Sequence, residues 1–267
     1  DIKVSVYAAC APISATAQTC EGPWTCCVGS TCTSPQLTAR DARNRVFTCE
    51  HGAISTEGQY PVDVSVAARD TIAVAGKQFV FASPNALLSI DPNTNPLDAF
   101  GVSSDSVRSW RSGDDSIEVG LGVQGNPDVL ETGGTLGYYL GVSITNPVTH
   151  TGNARIKFVD LYLPPASPNL NPGTGEDSDF HSCPPATAAE IEKLGLRDTT
   201  GVNLIKCSIS ANEPLESSET YRALLPINID TKQLGGQDFG TFFALVRVTF
   251  DYTNKNTVPV VIQNPLP

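Results

Sequence analysis

The stretch Phe242-Phe-Ala-Leu-Val-Arg-Val-Thr-Phe-Asp-Tyr252 decides the fold class. Its second half is rich in β-branched and aromatic residues, which suit a pleated, half-buried surface. It therefore reads as a strand. Working outward, Asn203–Ser210 and Tyr221–Ile229 precede it with similar texture, and Val258–Gln263 follows. Pro259 has no N–H to give a ladder, so this last segment is expected at a sheet edge. Leu136–Thr145 and Arg155–Leu163 complete a C-terminal series of strands.

The N-terminal part repeats the pattern. Ile2, Val4 and Val6 alternate with Lys3, Ser5 and Tyr7, the period-2 signature of one buried face. Arg45–Cys49, Pro61–Ala67, Lys77–Ala82 and Ile117–Val123 read the same way, with Gly or Pro near the breaks. Short alternating segments separated by turn residues predict a mainly β chain, with one or two antiparallel Ig-like or jelly-roll β-sandwich domains. The boundary is expected within Gly125–Gly134. This gives an N-terminal domain over 1–125 and a C-terminal one over 134–267, or one large composite sandwich.

One helix is expected, over Thr187–Leu196. Thr187 stands at the N-cap, Glu190 at the capping-box position and Gly195 near the end. The segment lies between Cys183 and Cys207, so a bridge between those two would close a loop over the helix.

The eight cysteines are Cys10, Cys20, Cys26, Cys27, Cys32, Cys49, Cys183 and Cys207. An even count points to disulfides and an oxidising compartment. The dense cluster Cys20-x5-Cys26-Cys27-x4-Cys32 raises zinc as the rival. It lacks a C-x2-C knuckle, however, and the nearest histidine, His51, lies outside it. The segment 10–35 is therefore expected to be a stapled N-terminal region.

Composition bounds the partners. With 28 Asp and Glu against 17 Lys and Arg the net charge is −11, which disfavours nucleic acid and anionic lipid. No run approaches the roughly 20 apolar residues of a membrane span. The chain has no Met, so a leader is expected to have been removed or left out, and the protein to reside outside the cell or on its surface.

No catalytic residue is expected. G-x-S-x-G, H-E-x-x-H and P-loop motifs are missing, and His51, His150 and His181 each sit in a turn-like context. No cofactor is implied, and there is no N-x-[ST] acceptor for N-linked sugar. Asp91, Asn93, Asn95 and Asp98 resemble the start of a calcium loop. Pro96 stands where that loop needs Gly, and Val102 where it needs Glu, so a turn cluster is the preferred reading.

The run Tyr221–Val261 resembles the Ig-like β-sandwich modules of archaeal cell-surface and pilus-like proteins, and RVFTCEHG with QYPVDVSV is similar to them in the N-terminal half. The resemblance implies a structural surface protein and carries no catalytic residue.

Three functions are weighed. The first is an extracellular structural subunit of a filament or pilus, its partner being copies of itself. There the arm Ile2, Val4, Val6 would complete a neighbour's sheet in donor-strand fashion; the bland alternative is that the arm pairs within its own domain. The second is an adhesin binding glycan through the loops Ser83–Arg111 and Pro164–Asp179, with Trp110, Tyr138 and Tyr139 as candidate contacts. The third, a secreted hydrolase, finds least support in the residues.

Overall fold

The computed structural model describes residues 2–8, 25–27, 36–37, 48–50, 58–103, 109–113, 116–125, 127–133, 137–149, 152–164, 178–180, 182–194, 203–229 and 234–263. Their strands are β1 (Ile2–Ala8), β2 (Thr25–Cys27), β3 (Gln36–Leu37), β4 (Thr48–Glu50), β5 (Gly58–Ala82), β6 (Trp110–Gly113), β7 (Glu118–Val123), β8 (Val129–Glu131), β9 (Tyr138–Thr145), β10 (Asn153–Leu163), β11 (Ile205–Leu215), β12 (Thr220–Ile227) and β13 (Phe239–Ile262). Three short helices accompany them: α1 (Pro84–Leu88), α2 (Pro96–Ala99) and α3 (Ala188–Glu192). The chain is mainly β, as its alternation predicts. It departs from the expectation of one helix, because α1 and α2 fall in a stretch read as irregular. Ser83 and Asn95 cap them, each followed directly by Pro, and each side chain accepts a backbone N–H of the first turn.

The strands build an eight-stranded sheet with the order β11-β10-β13-β5-β1-β3, where β6 and β8 also pair with β5. A three-stranded sheet, β12-β9-β7, and a two-stranded sheet, β2-β4, complete the set. Two strands are far longer than the segments that predict them. β5 joins Pro61–Ala67 to Lys77–Ala82 in one run of 25 residues. Midway, Asp70 takes a positive φ of 51°, and its N–H donates to Asp251 Oδ1 at 2.9 Å, so β13 holds the strand through the irregularity. β13 in turn joins Phe242–Tyr252 to Val258–Gln263 across Asn254-Lys-Asn-Thr257. Contacts between the two strands (Asp70–Asp251, Gly76–Leu245, Phe81–Gly240) descend on β13 as they climb on β5, so they run antiparallel.

The chain divides into two compact units, and the division falls inside β5, β10 and β13. The first comprises Asp1–Thr71, Val148–Arg155 and Phe250–Pro267. Here β1 lies between β5 and β3. It pairs antiparallel with β5 from Ile2↔Ala68 to Ala8↔Val62, and with β3 at Ile2↔Leu37 and Lys3↔Gln36. Gly152 donates its N–H to the Tyr252 hydroxyl at 3.1 Å, which sets the start of β10 against β13.

The second unit comprises Ile72–Pro147 and Ile156–Thr249, so Gly125–Gly134 lies within it. In its three-stranded sheet β9 pairs antiparallel with β12 and β7, from Thr145↔Thr220 to Tyr138↔Ile227 and from Thr145↔Glu118 to Leu140↔Val123. One face is buried throughout: Val119, Leu121 and Val123; Leu140, Val142 and Ile144; Ala223, Leu225 and Ile227. Burying each large aliphatic side chain contributes about 1.5–3 kcal/mol, which pins the register, since a one-residue slip would expose the whole set. In the large sheet, Phe242 stacks on Phe79 with centroids 5.2 Å apart.

β10 carries a slip in its alternation. Ala154 and Ile156 are buried, then Val159, Leu161 and Leu163, leaving Phe158 48% exposed between the two sets. An extra residue of this kind is what a β-bulge inserts. Beyond it, Asp160 and Tyr162 on the opposite face are buried too, because α3 and its flanks cover that face. Tyr162, Ile191, Leu194, Leu204 and Leu245 form one apolar cluster there.

Candidate functional site

Three groups of residues are candidates. The first is the N-terminal strand. Ile2, Val4 and Val6 stand opposite Ala68, Val66 and Val64 of the chain's own β5. No tight turn joins the two strands: β1 ends at Ala8 and β5 begins at Gly58. The ladder therefore depends on seven register pairs and not on a hairpin.

The second group surrounds Lys206 on β11. Period-2 alternation puts Lys206 and Ser208 on one face of that strand. Lys206 Nζ lies 2.8 Å from Glu190 Oε1 on α3 and 3.4 Å from Asp160 Oδ1 on β10. Ser208 Oγ donates to Asp160 Oδ1 at 2.7 Å. α3 begins as its sequence predicts: Glu190 N–H donates to Thr187 Oγ1, and Thr187 N–H donates to Glu190 Oε2, the two halves of a capping box. Glu190 thus serves the cap with one oxygen and Lys206 with the other. The hydrogen bond from Lys206, then those from Thr187, hold the Glu190 carboxyl down at about 2. Burial works against the charge of Lys206, but the hydrogen bond to Glu190 and the field of Asp160 prevail and raise its pKa. Burial, and then the Asp160 charge, raise that of Tyr162.

A lysine held as ammonium is a poor proton acceptor, and through it and Asp160 the cluster ties α3, β10 and β11 together. The disulfide Cys183–Cys207 lies beside it, with Cα atoms 4.1 Å apart, as the loop over the helix predicts. Pro185 bridges to Ile205, and Lys206 N–H donates to the Pro184 carbonyl, so the loop is sewn to β11 just inside the disulfide.

The third group is aromatic. Trp110 stands opposite Gly76 in the β6–β5 ladder and is 37% exposed. Tyr138 accepts the Glu131 N–H on its hydroxyl at 2.7 Å, and Tyr139 is half-buried.

The acidic turn resolves into local hydrogen bonds. Asp91 Oδ1 accepts from both the N–H and the side-chain amide of Asn93, and Asn95 Oδ1 accepts from Leu97 N–H. Both oxygens complete turn and cap geometry. Among the described residues no group of three His, Cys, Asp or Glu converges to hold a metal. Of the remaining cysteines, Cys26 and Cys27 lie in β2 and Cys49 in β4, with Cys26 the register partner of Cys49. Cys10, Cys20 and Cys32 lie outside the described residues, as do His51, His150 and His181.

The Lys206 cluster escapes the motif search because it has no fixed spacing: its members come from β10, α3 and β11. One signal was present. Asp160 interrupts the apolar run Phe158-Val-Asp-Leu-Tyr-Leu163, and a carboxylate there needs a buried partner.

Among the described residues no helix is long and apolar enough to cross a membrane. No protein-family model matches this chain, and no curated protein matches it.

Proposed function

We propose that this chain is a non-enzymatic extracellular subunit that assembles head to tail into a surface filament, its N-terminal strand making the joint between copies. The observation that carries the reading is the β1–β5 ladder, seven pairs long and joined by no hairpin. Every contact β1 makes with its own β5 is available to the β1 of another copy on that same β5. Exchange of an identical element between copies conserves the contacts and so costs little, and a head-to-tail exchange does not close on itself. The apolar faces of the β12-β9-β7 sheet and the large sheet suit the two layers of an Ig-like or jelly-roll sandwich. The Cys183–Cys207 bridge favours an oxidising compartment.

The test is negative-stain electron microscopy of native material beside a variant lacking Asp1–Ala8. Filaments of fixed axial repeat in the native sample, and folded monomers in the variant, are the expected pair of results. Dispersed single particles in the native sample would overturn the filament reading and direct attention to glycan-binding screens.

A further inference from the structure

Unit one places a pair of cysteines at opposed positions of a ladder. β2 and β4 run antiparallel, with Thr25 opposite Glu50, Cys26 opposite Cys49 and Cys27 opposite Thr48. Opposed residues of such a ladder have Cα atoms about 4.5 Å apart in a non-hydrogen-bonded pair and about 5.5 Å apart in a hydrogen-bonded one. Both spacings fall inside the roughly 4.4–6.8 Å that a disulfide spans. Opposed residues also share a face of the sheet, whereas successive residues alternate between faces. Cys26 and Cys49 therefore occupy one face, and Cys27 occupies the other with Thr48. That placement excludes two rival bonds. Cys26 and Cys27 are adjacent but stand on opposite faces, and cysteines whose Cβ directions diverge cannot be bridged. The same holds for Cys27 and Cys49.

We infer that Cys26 and Cys49 are joined by a disulfide. As the S–S bond forms, each thiol loses its hydrogen, and the two electrons and two protons pass to an exchange oxidant, itself a disulfide that ends as a dithiol. The Cys183–Cys207 bridge of the same chain needs the same oxidising chemistry. The ladder brings two thiols to one face, which is enough for a disulfide and half of the four ligands that structural zinc takes. The bond closes the stretch 27–48, and β3 lies inside it. Gln36 and Leu37 of β3 pair with Lys3 and Ile2, so the closed loop is the one that carries a neighbour of β1. With Cys183–Cys207 formed, the other six cysteines allow fifteen sets of pairings. Once Cys26 and Cys49 are joined, Cys10, Cys20, Cys27 and Cys32 allow three. The inference needs only the β2–β4 register and stands apart from the filament reading.

Peptide mapping of the native chain tests the bond. Free thiols are alkylated in denaturant, and the unreduced protein is digested with pepsin at acid pH, where thiolates are too scarce to exchange bonds. Mass spectrometry with electron-transfer fragmentation then reads the partner of Cys49. The expected result is a pair of peptides linked from Cys26 to Cys49 and separated by reductant. The variant Cys27→Ser distinguishes the two adjacent cysteines, because the same link persists in it if Cys26 is the partner. A link from Cys49 to Cys10, Cys20, Cys27 or Cys32 would overturn the inference, as would an alkylated Cys49 in the native protein. Stoichiometric zinc released together with alkylated Cys26 and Cys49 would overturn it too, and would assign the pair to a metal.

Discussion

The ammonium of Lys206 lies 2.8 Å from the Glu190 carboxylate and fastens the first turn of α3 to β11. Because Glu190 titrates near 2 in the folded chain instead of its ordinary 4.5, folding favours its charged form. The sign follows from linkage: a depressed carboxyl stabilises above the unfolded pKa and loses that contribution as pH falls through the folded one.

The stability difference between the native chain and Glu190→Gln should therefore be full above pH 4.5 and shrink as pH falls toward 2. Glu190 remains partly open to solvent, so the difference is expected to stay below about 1 kcal/mol. Denaturant titrations at several pH values, followed by circular dichroism, measure it. A gap that stays constant down to pH 2 would refute the assignment.

Removing the Cys183–Cys207 bridge should cost roughly 3 kcal/mol, from the entropy of a loop with sequence separation 24. The double variant Cys183→Ser/Cys207→Ser leaves no new free thiol, so the loss can be read by urea denaturation. A double variant as stable as the parent would show that the Lys206 cluster alone holds the loop.

Gly76 has a tertiary reason for being glycine. A Cβ there would meet the Trp110 ring at 2.5 Å and Leu245 Cδ2 at 2.7 Å. Gly76→Ala is thus expected to destabilise by about 1–3 kcal/mol, as overpacking does, and to shift the fluorescence of the displaced indole. An unchanged melting temperature with unchanged emission would contradict the packing.

Thr132 is wholly buried, and its hydroxyl has no hydrogen-bond partner among the described residues. Replacing an unsatisfied hydroxyl by a methyl of similar shape removes a desolvation cost. Thr132→Val should be neutral or stabilising by up to about 1 kcal/mol, measured by thermal unfolding. A loss of stability would mean that the hydroxyl is hydrogen-bonded after all.

Local patterns determined much of this protein by themselves. Alternation in Leu136–Thr145 and Tyr221–Ile229 is enough to predict β9 and β12, because a period of two directs one set of side chains to one face whatever partner lies there. Thr187 and Glu190 cap α3 within a single turn, and Cys183 and Cys207 flank that helix closely enough for the bridge to be expected from the chain alone. Tertiary structure decided what depends on distant partners. Asn254-Lys-Asn-Thr257 looks like a break between strands, yet β5 alongside supplies the ladder that carries β13 through it. Asp160, Glu190 and Lys206 have no common spacing and meet only when α3 folds back over β10 and β11. Gly76 and Trp110 are 34 positions apart, and only the β5–β6 register makes the small residue necessary. Strand periodicity is a property of neighbours in sequence, whereas sheet order and ion pairing are set by which strands become neighbours in space.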